Sequence, residues 1–209
     1  GETGCGKSSL ARAIIKMIPS KSGNVLWMGE EIFLFDKNKT KKMRKEIQMI
    51  FQDPLASLNP RMNIGEIISE PLRTHYPRIS KLDIKNAVSN MMQKVGLLPN
   101  LVNRYPHEFS GGQCQRIGIA RALILKPKLV ICDEPVSALD VSIQGQVINL
   151  LKSLQTEFKL SLIFITHDLS IAKHISDNIM VLNFGKVVEF NSSKEIFRAP
   201  KHSYTKKLI

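Results

Sequence analysis

Apolar residues recur along the chain in two patterns, and their order predicts an α/β fold. Short, nearly continuous apolar runs occur at residues 47–51, 129–132 and 161–166, which is typical of strands buried on both faces of a sheet. Between the first two runs, apolar positions recur every three or four residues, as at 64–68 and 87–95, which indicates helices. Strands that alternate with helices predict a mostly parallel sheet core.

The helical stretch interrupts the sheet pattern and is punctuated by Pro and Gly. We predict that residues of about 54–125 form an inserted α-helical subdomain and that residues 1–53 and 126–209 form the core of one domain. The remaining predicted elements are a long helix at 142–158 and strands at 23–29, 178–183 and 186–190.

Charge, apolar run length and cysteine content limit the classes of protein and the cellular compartments that fit this chain. The chain of 209 residues carries 30 Lys and Arg against 18 Asp and Glu, a net charge of +12. No apolar run approaches the roughly 18 residues that span a bilayer. Three scattered cysteines, without a paired spacing, argue against a disulfide framework or a zinc site and favour a reducing compartment.

A basic cluster carries much of the excess charge. We interpret it as a solvated face of a helix or loop. No aromatic residue lies between these cations to stack on bases, which argues against a role in nucleic-acid binding. A position near lipid head groups is the remaining alternative. The cluster consists of Lys37, Lys39, Lys41, Lys42, Arg44 and Lys45.

The first eight residues, Gly-Glu-Thr-Gly-Cys-Gly-Lys-Ser, match the phosphate-binding pattern G-x-x-x-x-G-K-S. Its glycines let backbone N–H groups converge on an anion, Lys7 supplies a charge for the β- and γ-phosphates, and the Ser8 hydroxyl can bind Mg²⁺. A helix predicted after the loop directs its positive end at the phosphates. The predicted nucleotide-binding residues here are Gly1, Glu2, Thr3, Gly4, Cys5, Gly6, Lys7, Ser8 and Ser9.

Two acids follow the apolar run at 129–132. A buried strand would deliver Asp133 to the sheet edge, where it can hold Mg²⁺. Glu134, one residue further, can orient or deprotonate an attacking water. Surface acids at a strand end are the alternative interpretation, which the phosphate loop makes less favourable.

A second anion site is predicted where Ser110, Gly111 and Gly112 precede a helical pattern. Ser110 is a natural N-cap, and a helix start with free N–H groups attracts phosphate. Read alone, the same three residues are an ordinary flexible turn.

Together these motifs resemble the ATP-binding subunit of an ABC (ATP-binding cassette) transporter. Ser110-Gly111-Gly112-Gln113 is similar to the family signature Leu-Ser-Gly-Gly-Gln, with Phe109 in place of Leu. The resemblance implies an ABC-type P-loop NTPase fold and an ATP hydrolase. It also implies that Ser110 to Gln113 contact the ATP that an opposing subunit holds.

The resemblance adds further site residues. Gln52 matches the Q-loop glutamine, which senses Mg²⁺ and the γ-phosphate. Asp140 ends the D-loop, and His167 matches the switch histidine. The resemblance therefore implies Glu134, His167 and Gln52 as catalytic residues, Ser8, Gln52 and Asp133 as Mg²⁺ ligands, and Asp140 beside the nucleotide.

Finer similarity points to the di- and oligopeptide-permease branch, and closest to its F-type ATPase. It lies in residues 51–62, 95–121 and 133–142, and in a tail at 200–208 that resembles the branch's His-Pro-Tyr-Thr segment, with Ser203 in place of Pro. This implies a subunit that powers peptide import from the cytoplasmic face of the inner or plasma membrane.

Several partners are implied: a second ATPase subunit, expected to be a D-type paralogue, two transmembrane permease subunits and, indirectly, an extracytoplasmic peptide-binding protein. No nucleic acid is expected. The alternative is a soluble ABC-type ATPase that acts on nucleic acid or the ribosome.

The chain begins inside the phosphate loop. We expect the N-terminal strands, including the one that normally precedes the loop, and the aromatic residue that stacks on adenine to lie upstream, so that the domain is truncated at both ends and the isolated fragment is inactive.

Overall fold

Helices and strands alternate along the chain largely in the predicted order. In the computed structural model, which describes residues 1–2 and 4–209, the elements are α1 (Lys7–Ile14), β1 (Leu26–Trp27), β2 (Glu30–Glu31), α2 (Lys37–Glu46), β3 (Ile47–Ile50), α3 (Ile64–His75), α4 (Lys81–Lys94), α5 (Gly111–Leu123), β4 (Leu129–Asp133), α6 (Val141–Phe158), β5 (Ser161–Ile165), α7 (Leu169–Ile175), β6 (Asn178–Asn183), β7 (Lys186–Ser192), α8 (Ser193–Arg198) and α9 (Ser203–Leu208). Short 3₁₀ helices span Ile32–Leu34, Pro99–Leu101 and Pro106–Glu108.

The chain divides into two compact units. One contains residues 1–40 and 164–209, and the other contains residues 41–163. The division into a core of residues 1–53 and 126–209 with an insertion at 54–125 stays a prediction.

A three-stranded sheet has the order β3-β4-β5. Strands β3 and β4 are parallel, with Ile47 opposite Leu129 and Ile50 opposite Cys132, which confirms the predicted parallel sheet for this pair. Val130, Ile131 and Cys132 are fully buried. Because the register is in step, residues at equal distances beyond the ends of β3 and β4 lie at the same edge of the sheet.

Helix α5 is the centre of the unit at residues 41–163. It packs against α3, α4, α6 and β3, and Ile117, Ile119 and Ala120 are fully buried. Its neighbours begin at strong caps: Asn63 and Glu66 form a capping box at the start of α3, and the Ser80 side chain accepts from Asp83 N at the start of α4. The predicted helices of this stretch are confirmed.

The other unit has its own small core. Ala172, Ile179, Val181 and Ile196 are buried together, and four half-buried side chains pack against them. Three elements supply the four buried residues: helix α7, strand β6 of the antiparallel β6–β7 hairpin, and helix α8. The strands predicted at 178–183 and 186–190 are confirmed.

The strand predicted at 23–29 is wrong in extent, since only Leu26–Trp27 is extended and paired. Met28 and Gly29 have φ angles of 51° and 83°. Positive φ at both central residues makes a tight two-residue turn, which returns the chain into β2. The turn ends the strand there.

Candidate nucleotide-binding site

The glycines of the phosphate loop adopt backbone conformations that other residues avoid. Gly4 has φ 82° and Gly6 has φ 97°, both in the left-handed region that favours glycine. Gly6 is also the N-cap residue of α1, so the loop leads directly into the positive end of a helix. Thr3, predicted to be part of this loop, lies outside the described residues.

The Lys7 side chain folds back over the loop. Its Nζ donates to the carbonyl oxygens of Gly1 and Glu2, both at 2.8 Å, and lies 3.8 Å from Cys5 Sγ. Ser8 is half-buried and Ser9 is exposed in the first turn of α1. The lysine charge, the first-turn hydroxyls and the helix start therefore belong to one local structure that can bind an anion.

The β6–β7 hairpin packs against the phosphate loop and donates a hydrogen bond to it. Gly185 N donates to Cys5 O at 3.0 Å. A Cβ atom added at Gly1 would lie 2.0 Å from Leu182 O, far inside contact distance, so only glycine fits at Gly1. The conformation of the loop therefore depends on residues more than 170 positions further along the chain.

His167 follows β5 in a short turn before α7. Asp168 N donates to Thr166 Oγ1 at 2.9 Å, and Asp168 Oδ1 caps α7 by accepting from Ser170 N at 2.7 Å. These bonds fix the backbone on the C-terminal side of His167, whose side chain is exposed. An exposed imidazole on a fixed backbone is suited to contact a ligand.

Gln52 and Glu134 meet at the edge of the sheet. Each lies two residues beyond a pair of opposed strand residues, Ile50 and Cys132, and Gln52 Nε2 donates to Glu134 Oε2 at 3.4 Å. The sequence predicts both as site residues, and the register explains why they come together.

Asp133, the last residue of β4, and Glu134, which follows it, are both buried. Asp133 is 1% exposed and Glu134 is 8% exposed. Glu134 has φ 45°, a left-handed conformation that is unusual for a residue with a side chain. Its carbonyl accepts from Ser137 Oγ at 3.1 Å, so the following turn fixes this strained backbone. This burial disfavours the alternative interpretation of ordinary surface acids.

The Ser-Gly-Gly-Gln segment starts α5 as predicted. Ser110 Oγ accepts from Gln113 N at 3.3 Å, and Gln113 Oε1 accepts from Ser110 N at 3.0 Å, which forms a capping box. Ser110, Gly111 and Gln113 are exposed. The helix start is therefore fixed and open to a ligand.

Contacts within the chain connect α5 with the residues around Asp140, which is the N-cap residue of α6. A Cβ added at Gly111 would lie 3.5 Å from Leu139, and one at Gly112 would lie 2.7 Å from Ile143 Cγ2. Gly112 thus packs so closely on Ile143 that a larger residue does not fit.

We expect Gly112→Ala to lower the free energy of unfolding by about 1 kcal/mol, because the new methyl group overlaps a β-branched side chain with little freedom to move. Urea unfolding of the full-length protein measures it. Gly145→Ala is the matched control on α6, with open space at its Cβ, and is expected to stabilise by about 0.5–1 kcal/mol. An equal loss in an Ile143→Ala background would contradict the explanation.

Arg121 is a residue that the sequence analysis misses. From α5 its Nη1 donates to Ser57 O at 2.7 Å, which ties the helix to the loop after Gln52. Burial lowers the pKa of the Arg121 guanidinium, and the Glu70 carboxylate partly opposes that shift. A single cation in the otherwise uncharged stretch at 117–123, within the helical pattern that follows Ser110 to Gly112, is the signal that could have identified it.

Comparison with known proteins decides the family. A family model described as ABC transporter matches residues 1–137. The chain belongs to the ABC transporter family. This confirms the family predicted from the motifs.

Relatives within the ABC transporter family lie in the predicted branch. The chain is 63% identical to the oligopeptide transport ATP-binding protein OppF of Haemophilus influenzae, 62% to OppF of Escherichia coli and 50% to OppF of Bacillus subtilis. Each match covers 100% of this chain and 63%, 63% and 69% of the respective relative. The chain thus spans about 63% of the length of the first two relatives.

Solved ABC proteins share the fold. CbiO1 of Clostridium perfringens, part of the transporter complex cbiONQ, has a TM-score of 0.83 at 28% identity, over 95% of this chain and 77% of its own. The cassette MJ0796, a dimer in a post-hydrolysis state with ADP and Pi, has a TM-score of 0.82 at 28% identity, over 92% of this chain and 83% of its own. The predicted P-loop NTPase fold is confirmed. Among the described residues, no helix is long and apolar enough to cross a membrane.

Proposed function

We propose that this chain binds and hydrolyses ATP in an importer of oligopeptides or dipeptides. The observation that carries the chemistry is the phosphate loop. Two glycines with left-handed backbone conformations precede α1, and the ammonium of Lys7, the first residue of that helix, folds back onto the loop. The identity of 62–63% to OppF proteins over the whole chain supports the peptide substrate.

Nucleotide binding is assigned to two helix starts. The loop residues at 1–9, with Lys7 foremost, hold the phosphates of one ATP. The segment Ser110 to Gln113 and Asp140 face an ATP held by a second cassette. The exposure of Ser110 at the capped start of α5 supports this, as does the dimeric state named for MJ0796.

Ser8, Gln52 and Asp133 are proposed to hold Mg²⁺. Their hydroxyl, amide and carboxylate oxygens are hard donors of the type that Mg²⁺ prefers. Asp133 is 1% exposed, and a bound cation would offset the cost of burying its carboxylate. The ion would neutralise charge on the β- and γ-phosphates.

Glu134 is the proposed general base for hydrolysis, and Gln52 and His167 assist it. The Glu134 carboxylate orients and deprotonates the attacking water, while Gln52, which donates to Glu134 Oε2, fixes that carboxylate. His167 stabilises charge on the γ-phosphate. Such catalysis works by positioning and electrostatics, and no covalent intermediate forms on the protein.

The transporter partners are two transmembrane subunits, a second ATPase subunit of the D-type and, indirectly, an extracytoplasmic peptide-binding protein. The protein would act at the cytoplasmic face of the inner or plasma membrane. An open cavity of about 510 Å³ at the end of α3, lined by Leu72, Tyr76, Pro77 and Ile79 among others, supports docking of a membrane subunit against the helices at 52–106.

Reconstitution of the assembled transporter into vesicles tests the function. We expect ATP hydrolysis to rise when peptide and its binding protein are supplied, and labelled peptide to accumulate only with ATP and Mg²⁺. Hydrolysis stimulated instead by DNA or ribosomes would contradict peptide transport and favour the alternative. A protein that hydrolyses no ATP would contradict the whole proposal.

A further inference from the structure

The tail segment His202-Ser203-Tyr204-Thr205 forms the start of α9, and three of its side chains have defined places. His202 Nδ1 accepts from Tyr204 N at 3.1 Å and so caps the helix. Thr205 is 1% exposed. Tyr204 is half-buried, and its ring packs on the core of Ala172, Ile179, Val181 and Ile196. The proposed chemistry uses none of these residues.

Glu189 on β7 anchors the beginning of this segment. Its two carboxylate oxygens accept from Lys201 N at 2.9 Å and from His202 N at 3.0 Å. The hydrogen bond from the Lys201 backbone N–H, aided by the one from the His202 N–H, lowers the pKa of Glu189. Because a charged acceptor makes strong bonds, the start of α9 is fixed to the hairpin.

The hydroxyl of Tyr204 reaches the phosphate loop. Tyr204 Oη accepts from Glu2 N at 3.1 Å. This N–H belongs to the peptide group that joins Gly1 to Glu2, and the carbonyl of the same group, Gly1 O, accepts from Lys7 Nζ at 2.8 Å. One peptide group is therefore held at both ends, by Tyr204 on one side and Lys7 on the other.

A trans peptide is planar, and its N–H and C=O point in opposite directions. Fixing the N–H therefore fixes the direction of the carbonyl that receives the lysine. We propose that Tyr204 is a positioning residue, which sets the place of the Lys7 ammonium through the Gly1–Glu2 peptide; this rests on the proposed binding of ATP at that loop. Glu189 acts behind it by holding α9 in place.

Tyr204→Phe in the full-length protein is the direct test, since it removes only the hydroxyl. We expect the Kd for ATP, and the KM in hydrolysis, to rise about 3- to 10-fold, as for one lost hydrogen bond. The value of kcat at saturating ATP should not change, and the midpoint of urea unfolding should shift only slightly, because the lost bond is exposed to solvent. Ser153→Ala, which removes only the hydroxyl of an exposed serine on α6 that donates to Leu150 O, is the control and should leave Kd unchanged.

Glu189→Gln is a second test, which weakens the anchoring of α9 to β7. An amide accepts at only one of its two ends, so one of the two bonds to α9 is lost. We expect the same rise in Kd, and the double variant Glu189→Gln/Tyr204→Phe should be no weaker than Tyr204→Phe alone.

Each outcome separates the two proposals. If the unaltered protein binds ATP and Tyr204→Phe binds it equally well, the positioning role is overturned and the proposed function stands. A rise in Kd that is explained by partial unfolding of the variant under the assay conditions assigns Tyr204 to stability alone, which also overturns it. If the unaltered protein binds no ATP, both proposals fail.

Discussion

Replacing Glu134 by Gln should lower the rate of ATP hydrolysis by at least about 100-fold while ATP still binds. Removal of a general base typically costs a factor of about 10² to 10⁴, and an amide cannot accept a proton from water at neutral pH. We expect binding to be retained because the loop at Lys7, and not Glu134, is proposed to hold the phosphates. The variant should therefore trap an ATP-bound dimer of cassettes.

The substitution tests chemistry rather than folding. Gln has the shape of Glu, and its amide oxygen can still accept from Gln52 Nε2, which lies 3.4 Å from Glu134 Oε2. The carbonyl of Glu134, whose φ is 45°, accepts from the Ser137 hydroxyl, and this bond does not involve the substituted side chain. A change confined to kcat is therefore expected.

Single-turnover hydrolysis and size-exclusion chromatography with ATP measure both effects in the full-length protein. Glu157→Gln is the matched control, at an exposed glutamate on α6 that pairs with Lys94, and should hydrolyse ATP at the normal rate. Near-normal hydrolysis by Glu134→Gln would remove Glu134 from the role of base. Loss of ATP binding would show instead that its charge contributes to the nucleotide site.

Local sequence patterns predict the parts of the site that depend on neighbours along the chain. The glycines of the phosphate loop and the Ser110 cap are set by spacing over fewer than ten residues, and the structure has them as predicted. The apolar runs that become β3 and β4 are predicted as well, but their register, which brings Gln52 and Glu134 together, is seen only in the structure. Periodic patterns determine such features because each strand or helix must bury one set of side chains.

Contacts between distant segments could not be predicted in this way. Glu2 and Tyr204 are separated by 202 positions, and no local pattern tells which hydroxyl will meet a free N–H group. Arg121 reaches Ser57 over 64 positions by the packing of α5. The turn at Met28 was not predicted because methionine rarely adopts the positive φ that it has there. In each case tertiary structure decides the outcome.

Lys7→Ala should have the opposite effect from Glu134→Gln, since it removes binding rather than the chemical step. A charge-assisted hydrogen bond contributes about 1.5–3 kcal/mol, so the loss of an ammonium that is proposed to bind two phosphates should weaken ATP binding by about 100-fold.

Lys7→Arg should not restore this affinity, because a planar guanidinium cannot replace a compact ammonium that donates to both Gly1 O and Glu2 O at 2.8 Å. Isothermal titration with ATP and Mg²⁺ measures the loss, and Lys21→Ala, at an exposed lysine of the same unit, is the control. Unchanged affinity in Lys7→Ala would mean that the loop does not hold the phosphates. Because Tyr204 is proposed to act only through Lys7, Tyr204→Phe should add little in a Lys7→Arg background, whereas a full additional loss would show that the hydroxyl works independently of the lysine.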